Sequence, residues 1–208
     1  MKHFLLSFLL LTSFNSFAEN EKFDVIILTK TTIKKLIGNY PEIGSVEHLA
    51  DFETLHNYQV TRTEENCKQA EHDEKLSIKQ LYKGILTSKE IALATINLAD
   101  VYATVGANAY LAKSIYKRPR PYDFDGSLAP CISREKSYAY PSGHTMTARL
   151  TARILSSYYP NKAASLMKRA DEFSLQRVVG GVHHPSDVEA GKKLSDHLAS
   201  LMLSRLQK

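Results

Sequence analysis

The feature that most constrains this chain is a run of 22 residues, Ile91 to Ala112, with a single charged side chain, Asp100. Such a run either crosses a bilayer, which takes about 20 apolar residues, or lies inside a helical bundle. Asn97, Asp100, Gly106 and Asn108 favour the bundle, because polar groups are costly in lipid. The run is therefore read as one helix buried on nearly all faces. Thr87-Ser88-Lys89-Glu90 is a capping box that opens it, and Pro119 and Pro121 end it.

Other helices are expected around this one. Ser45 caps a first helix with Val46, Leu49, Phe52, Leu55 and Tyr58 on one side. His144 to Tyr159 forms another, closed by Pro160. Asn161 caps the next, which runs to about Val179 and stops at Gly180-Gly181. Ser186-Asp187-Val188-Glu189 reads as a second capping box, opening a last helix with Ala190, Leu194, Leu198 and Leu201 on one face. Residues 23–44 read as an irregular segment, 61–77 as polar and solvated, and 122–140 as a long loop. With no run of alternating strands, the fold class is all-α.

Composition bounds the function. Of 208 residues, 43% are hydrophobic and 24% charged, which excludes disordered, collagen-like and multi-span membrane chains. Met1-Lys2-His3, the apolar stretch Phe4 to Leu11 and Ser16-Phe17-Ala18 have the layout of a secretory signal peptide over 1–18. A single mature domain is expected over 19–208. No Cys follows the cut, so a lipid anchor is not expected. Net charge is +5 with His neutral. This suits an anionic substrate without demanding nucleic acid. Cys67 and Cys131 are either a disulfide, as an even pair in an oxidising compartment, or two small buried thiols. Neither has a neighbour at zinc-ligand spacing.

Three segments carry chemistry. The first, from Lys113 through Tyr116 and Arg118 to Arg120-Pro121, holds four cations in eight residues. The second is Pro141-Ser142-Gly143-His144 at a helix start. The third is Arg177, His183 and Asp187. Singly these are a solvated basic face, a helix cap and a structural His–Asp pair. Jointly they supply what phosphoryl transfer needs: fixed cations, backbone donors, a nucleophile and a leaving-group acid. Lys113, Arg120 and Arg177 are the cations, and Arg offers a planar fork to phosphate oxygens. Ser142 and Gly143 stand where helix N–H groups point outward, an anion site. His183 is the candidate nucleophile, held by Asp187, and His144 the candidate acid. His184 is a rival nucleophile.

The pattern Lys-x6-Arg-Pro, Pro-Ser-Gly-His and Arg-x5-His-x3-Asp resembles the type 2 phosphatidic acid phosphatase (PAP2) superfamily, which also holds the vanadium haloperoxidases. Tyr116, Arg118 and the secretion signal are most similar to bacterial class A non-specific acid phosphatases. The resemblance implies a helical bundle, no metal or cofactor, and a secreted, periplasmic acid phosphatase acting on phosphate monoesters. It also implies a phosphohistidine at His183, oriented by Asp187, with His144 as acid. Lys113, Arg120, Ser142, Gly143 and Arg177 would hold the phosphate. The implied partners are small phosphate esters, with lipid phosphates also open, no nucleic acid, no stable membrane span, and a possible homo-oligomer. A lipid-phosphate phosphatase and a vanadate-dependent haloperoxidase are the alternatives. The chain departs from the family at Gln176, where Ser is usual, and at His184-Pro185, where class A enzymes carry an aromatic residue.

Overall fold

The computed structural model describes residues 23–75 and 77–206. The expected signal peptide lies outside the described residues. The elements in chain order are α1 (Lys30–Ile37), α2 (Val46–Thr61), α3 (Glu64–Glu74), α4 (Ile78–Leu81), α5 (Ser88–Asn97), α6 (Ala99–Tyr116), α7 (Pro121–Phe124), α8 (Gly143–Tyr158), a 3₁₀ turn (Pro160–Lys162), α9 (Ala163–Val179) and α10 (Pro185–Leu206). Among the described residues the only β feature is an isolated bridge, Lys83 to Leu86. The expected all-α class is the observed one. No helix among the described residues is long and apolar enough to cross a membrane.

The run Ile91–Ala112 is two helices rather than one. The chain breaks at Leu98, which is buried and starts α6 with Asp100 in its first turn, where an acid suits the helix dipole. Nor is α6 buried all round. Val101, Thr104, Val105, Asn108, Ala109 and Ala112 are buried, the i, i+3, i+4 stripe of a one-sided helix. Tyr102, Ala103, Gly106 and Tyr110 are exposed. Small and aromatic residues made this outer face read as apolar. Asn108 is a clamp: its side chain accepts from the Leu28 backbone N–H at 2.9 Å and donates to the Ile26 carbonyl at 2.7 Å. Thr104 accepts from the Ile26 N–H at 3.1 Å. The extended segment before α1 thus satisfies its backbone on α6 while Phe23, Ile26 and Leu28 enter the core.

The helix at the centre is α8, packed against α6, α9 and α10. Met146, Ala148, Leu150, Ala152, Ile154 and Leu155 are all without exposed surface. The expected stripe on α10 holds: Ala190, Leu194 and Leu198 are buried and Leu201 is partly so. Gly191 lets α10 approach closely, since a Cβ there would stand 2.9 Å from the Ser142 carbonyl oxygen.

Four local expectations change. Residues 30–37 are helical within the segment read as irregular. The segment read as solvated contains α3, which buries Ala70 and Asp73 and packs on α9; Arg169 pairs with Asp73 at 2.8 Å. Asn161 lies in the 3₁₀ turn, and the residue preceding α9 is Lys162. On α2 the buried residues are His48, Asp51 and Leu55, whereas Val46 and Leu49 are exposed. Asp51 is drawn inward by an arginine, and the helix turns with it.

The cysteines form a disulfide, Cys67–Cys131, with Cα atoms 5.7 Å apart and a sequence separation of 64. Closing a loop of that length stabilises the fold by about 4 kcal/mol in the chain-entropy account. The bond ties α3 to the long loop before α8. Arg62 ties the same loop to the end of α9, donating to the Ala129 carbonyl and, at 2.8 Å, to the Val179 carbonyl.

Candidate active site

The site forms where α6, the loop before α8, the start of α8 and the α9–α10 corner meet. Lys113 stands in the last turn of α6, Arg120 just before α7, and Arg177 in the last turn of α9. Ser142 is the N-cap of α8: its hydroxyl accepts from the Thr145 N–H at 3.3 Å. Capping uses the hydroxyl oxygen as an acceptor and leaves its O–H as a donor, so the turn can offer an anion both that O–H and backbone N–H groups. A Cβ on Gly143 would meet only the Ala109 methyl, at 3.9 Å. No protein atom demands glycine there, and Gly143 lines the cavity.

The second expected capping box is displaced. The α10 helix begins at Pro185, and the Asp187 carboxylate reaches back to accept from the His184 backbone N–H at 2.8 Å. Gly181, at φ 79°, turns the chain out of α9. This corner sets His183 one helical turn from Asp187.

A cavity of about 320 Å³ opens between these elements, lined among others by Lys113, Arg120, Glu135, Gly143, His144 and His183. Ser142, Arg177 and Asp187 are fully buried and stand behind the residues that line it. His183, 1% exposed, bridges two partners: Nδ1 to Asp187 Oδ2 at 3.1 Å and Nε2 to Arg120 Nη1 at 3.1 Å. A guanidinium only donates, so Nε2 carries the lone pair and Nδ1 the proton. Burial, together with Arg120 and Lys113, keeps this imidazole well below its ordinary pKa despite Asp187. Burial alone would raise the Asp187 carboxyl. His184, His183 and Arg118 outweigh it and hold the group well below the usual carboxylate range.

Sequence reasoning used Arg118 only as a family marker and missed Asp51. In the structure Arg118 donates to Asp187 Oδ1 at 2.6 Å, to Ser186 Oγ at 2.7 Å and to Asp51 Oδ2 at 2.9 Å. Asp51 accepts in turn from the Ser186 backbone N–H at 2.9 Å. His184 also reaches Asp187 Oδ2, at 3.1 Å. It lines a different cavity, beside Tyr40, Phe52 and Phe124.

On the other wall, His144 has a 34% exposed side chain and lies 3.7 Å through Nδ1 from Glu135 Oε1. Burial and the charge of Arg177 push its pKa down to about 4, with Glu135 opposing and Arg120 and Lys113 adding to the fall. Burial and Arg120 bring Lys113 down to about 8. Arg120 donates to the Ser137 carbonyl at 2.7 Å and hydroxyl at 3.0 Å; Lys113 donates to that hydroxyl at 3.4 Å and to the Tyr138 carbonyl. Glu135 and Ser137 were not legible as site residues. Their only mark is that Glu135 is the one acid in residues 126–141. Among the described residues no group of three or more His, Cys, Asp or Glu could hold a metal ion.

The family model for the PAP2 superfamily matches residues 92–207. The chain belongs to the PAP2 superfamily. All three motifs lie within the matched region. Among curated proteins, the chain is similar to a non-specific acid phosphatase of Providencia stuartii, 29% identical over 167 residues, covering 73% of this chain and 66% of that one. It is also similar to one of Salmonella typhimurium, 34% identical over 116 residues, covering 54% and 43%. The chain thus spans no more than about two thirds of these relatives' lengths. A bacterial vanadium-dependent iodoperoxidase has the same fold at TM-score 0.62 and 15% identity, covering 79% of this chain and 50% of that one. So does a transmembrane PAP2-type phosphatidylglycerolphosphate phosphatase from Bacillus subtilis, at TM-score 0.59 and 21% identity, covering 85% and 93%.

Proposed function

We propose that this PAP2 protein is an exported, metal-independent phosphatase that hydrolyses phosphate monoesters through a phosphohistidine at His183. The observation that carries the reading is the state of His183. Its Nδ1 proton is held by a buried carboxylate while its Nε2 lone pair faces a cavity walled by Lys113 and Arg120. A nucleophilic imidazole needs this tautomer. The relatives named as acid phosphatases support the substrate class.

In the first step a phosphate monoester enters the cavity, and Arg120 Nη1 turns from Nε2 to a phosphate oxygen. Nε2 attacks phosphorus in line with the ester oxygen. The P–N bond forms, the P–O bond breaks, and His144 gives its proton to the departing alkoxide. Asp187 offsets the positive charge that develops on the His183 ring. In the second step His144 takes a proton from water, the resulting hydroxide oxygen attacks phosphorus, the P–N bond breaks, and inorganic phosphate leaves. The cations and the α8 N-terminus stabilise charge on the equatorial oxygens throughout. Arg177 is suited to this, because its Nε and Nη1 are buried without a protein partner, and such donors are costly to leave unpaired.

Export is supported by the leader pattern of residues 1–18 and by the Cys67–Cys131 disulfide, since such bonds persist in oxidising compartments. The test is phosphate release from sugar, nucleotide, nitrophenyl and lipid phosphates in the presence of chelator, with rapid quenching to trap labelled His183. Turnover of soluble monoesters with label on His183 is expected. Turnover of lipid phosphates alone, label on Ser or His184, or loss of activity to chelator would overturn the reading.

A further inference from the structure

The reaction above leaves one charged group of the cavity without a task. Glu135 projects a carboxylate into a site built for anions. Its Oε1 accepts from Arg177 Nη2 at 3.0 Å and lies 3.7 Å from His144 Nδ1, and its Oε2 lies 3.6 Å from Arg120 Nη2. By charge alone it opposes the substrate, so its position needs a compensating role.

We propose that Glu135 is the positioning residue of the leaving-group acid: it holds His144 by the Nδ1 side, so that a protonated imidazole presents its Nε2 proton to the departing oxygen. The inference rests on the reading of His144 as that acid.

Three observations support it. The first is a structural parallel. His183 and His144 each turn Nδ1 to a carboxylate, and each carboxylate is held by a buried arginine, Asp187 by Arg118 and Glu135 by Arg177. The second is that Glu135 does not take the phosphate's place on Arg177. It uses Nη2, shared with Glu74 at 3.5 Å, and leaves Nε and Nη1 unpartnered. The third is the charge around His144. Arg177 on α9, Arg120 before α7 and Lys113 on α6 all work against a protonated ring, and Glu135 works for it. His183 from the α9–α10 corner and Tyr102 from α6 line the same space, with Glu74 of α3 on the adjoining one. At 3.7 Å the pair is looser than a hydrogen bond, which suits a ring that must gain and lose a proton in each cycle. The proton travels between His144 Nε2, the leaving oxygen and water.

The experiment compares wild type, Glu135→Gln, Glu135→Asp and His144→Asn in the full chain. Two readouts are taken. One is NMR titration of the His144 ring with inorganic phosphate bound. The other is the kcat–pH profile on an alkyl phosphate and on nitrophenyl phosphate. Glu135→Gln is expected to move the His144 titration lower by about one pH unit or more, as loss of an opposite charge does. It should cut kcat on the alkyl ester by about tenfold, several-fold more than on the nitrophenyl ester, and shift the basic limb to lower pH. Glu135→Asp keeps the charge and should recover part of each effect; it also serves if the Gln variant does not fold. An unmoved His144 titration would overturn the proposal. So would equal losses on both esters at an unshifted pH profile, or faster turnover of both with tighter phosphate binding. If His144→Asn discriminates between the esters and Glu135→Gln does not, Glu135 loses its role and the acid keeps its own. If His144→Asn does not discriminate, the acid assignment fails and Glu135's role goes with it.

Discussion

His183 and His144 face the same cavity from opposite walls, and the walls differ in construction. His183 is 1% exposed, with both ring nitrogens hydrogen-bonded. Behind it, Asp187, Arg118, Asp51 and Ser186 form a buried network drawn from α2, α10 and the segment after α6. His144 keeps a third of its side chain exposed and meets its carboxylate at 3.7 Å, from a loop. The difference matches the work assigned to each ring. A nucleophile needs one tautomer and a neutral ring, and burial with a fixed carboxylate supplies both. A leaving-group acid must exchange protons with substrate and water, so it stands at the opening with a looser partner.

The comparison breaks most sharply at Asp187. Asp187→Asn should leave the fold intact and lower kcat on nitrophenyl phosphate by about 10³ to 10⁴, since an amide no longer enforces the Nδ1–H tautomer. A loss under tenfold in steady-state assays would mean that His183 does not depend on its carboxylate.

Next comes the network behind it. Arg118→Leu leaves Asp187 and Asp51 buried with charge uncompensated, which costs about 3–5 kcal/mol. Urea denaturation should show that loss, together with weaker activity. Unchanged stability would show that the nucleophile wall is no more rigid than the acid wall.

On the other side, His144→Asn should slow alkyl phosphate hydrolysis by about 10² or more and affect nitrophenyl phosphate less, because nitrophenolate leaves without a proton. The pH dependence has a definite sign. The free His144 ring, lowered to about 4, loses its proton as pH rises through that value, so kcat/KM should fall from acidic pH upward. Bound phosphate adds negative charge and should carry the basic limb of kcat to higher pH. Coincident limbs for kcat and kcat/KM would count against His144 as the acid.

The smallest effect concerns Lys113, whose pKa is lowered to about 8. Above that pH it becomes neutral and one cation of the site is lost. Inorganic phosphate should then bind about fivefold more weakly at pH 9 than at pH 7, near 1 kcal/mol for one screened charge pair. Calorimetry across that range checks it, and Lys113→Arg should flatten the trend.

Much of the site was legible because its residues lie beside local chain signals. Ser142-Gly143-His144 opens a helix, His183 stands just before another with Asp187 in its first turn, and Gly181 follows the helix that carries Arg177. Thr87 and Glu90 form the capping box that their spacing predicts. What escaped had no such signal. The break at Leu98 lies inside an apolar run, and α3 carries few apolar residues, so hydrophobic periodicity reports neither. Asp51 looked like the polar side of an amphipathic helix until Arg118 and Ser186 drew it inward. Glu135 sits in a loop with no period at all.

What the sequence determined by itself is the all-α class and the order of the helices that carry its three motifs. Caps, prolines and glycines act within a few residues, through backbone hydrogen bonds and permitted dihedral angles. Only the tertiary structure brought Asp51 and Glu135 to the site. Asp51 meets Ser186 across 135 positions of chain, and Glu135 meets Arg177 across 42. Those pairings depend on which charges lose water together when α2, α8, α9 and α10 close on one another. Desolvation is a property of the packed assembly that no local spacing encodes.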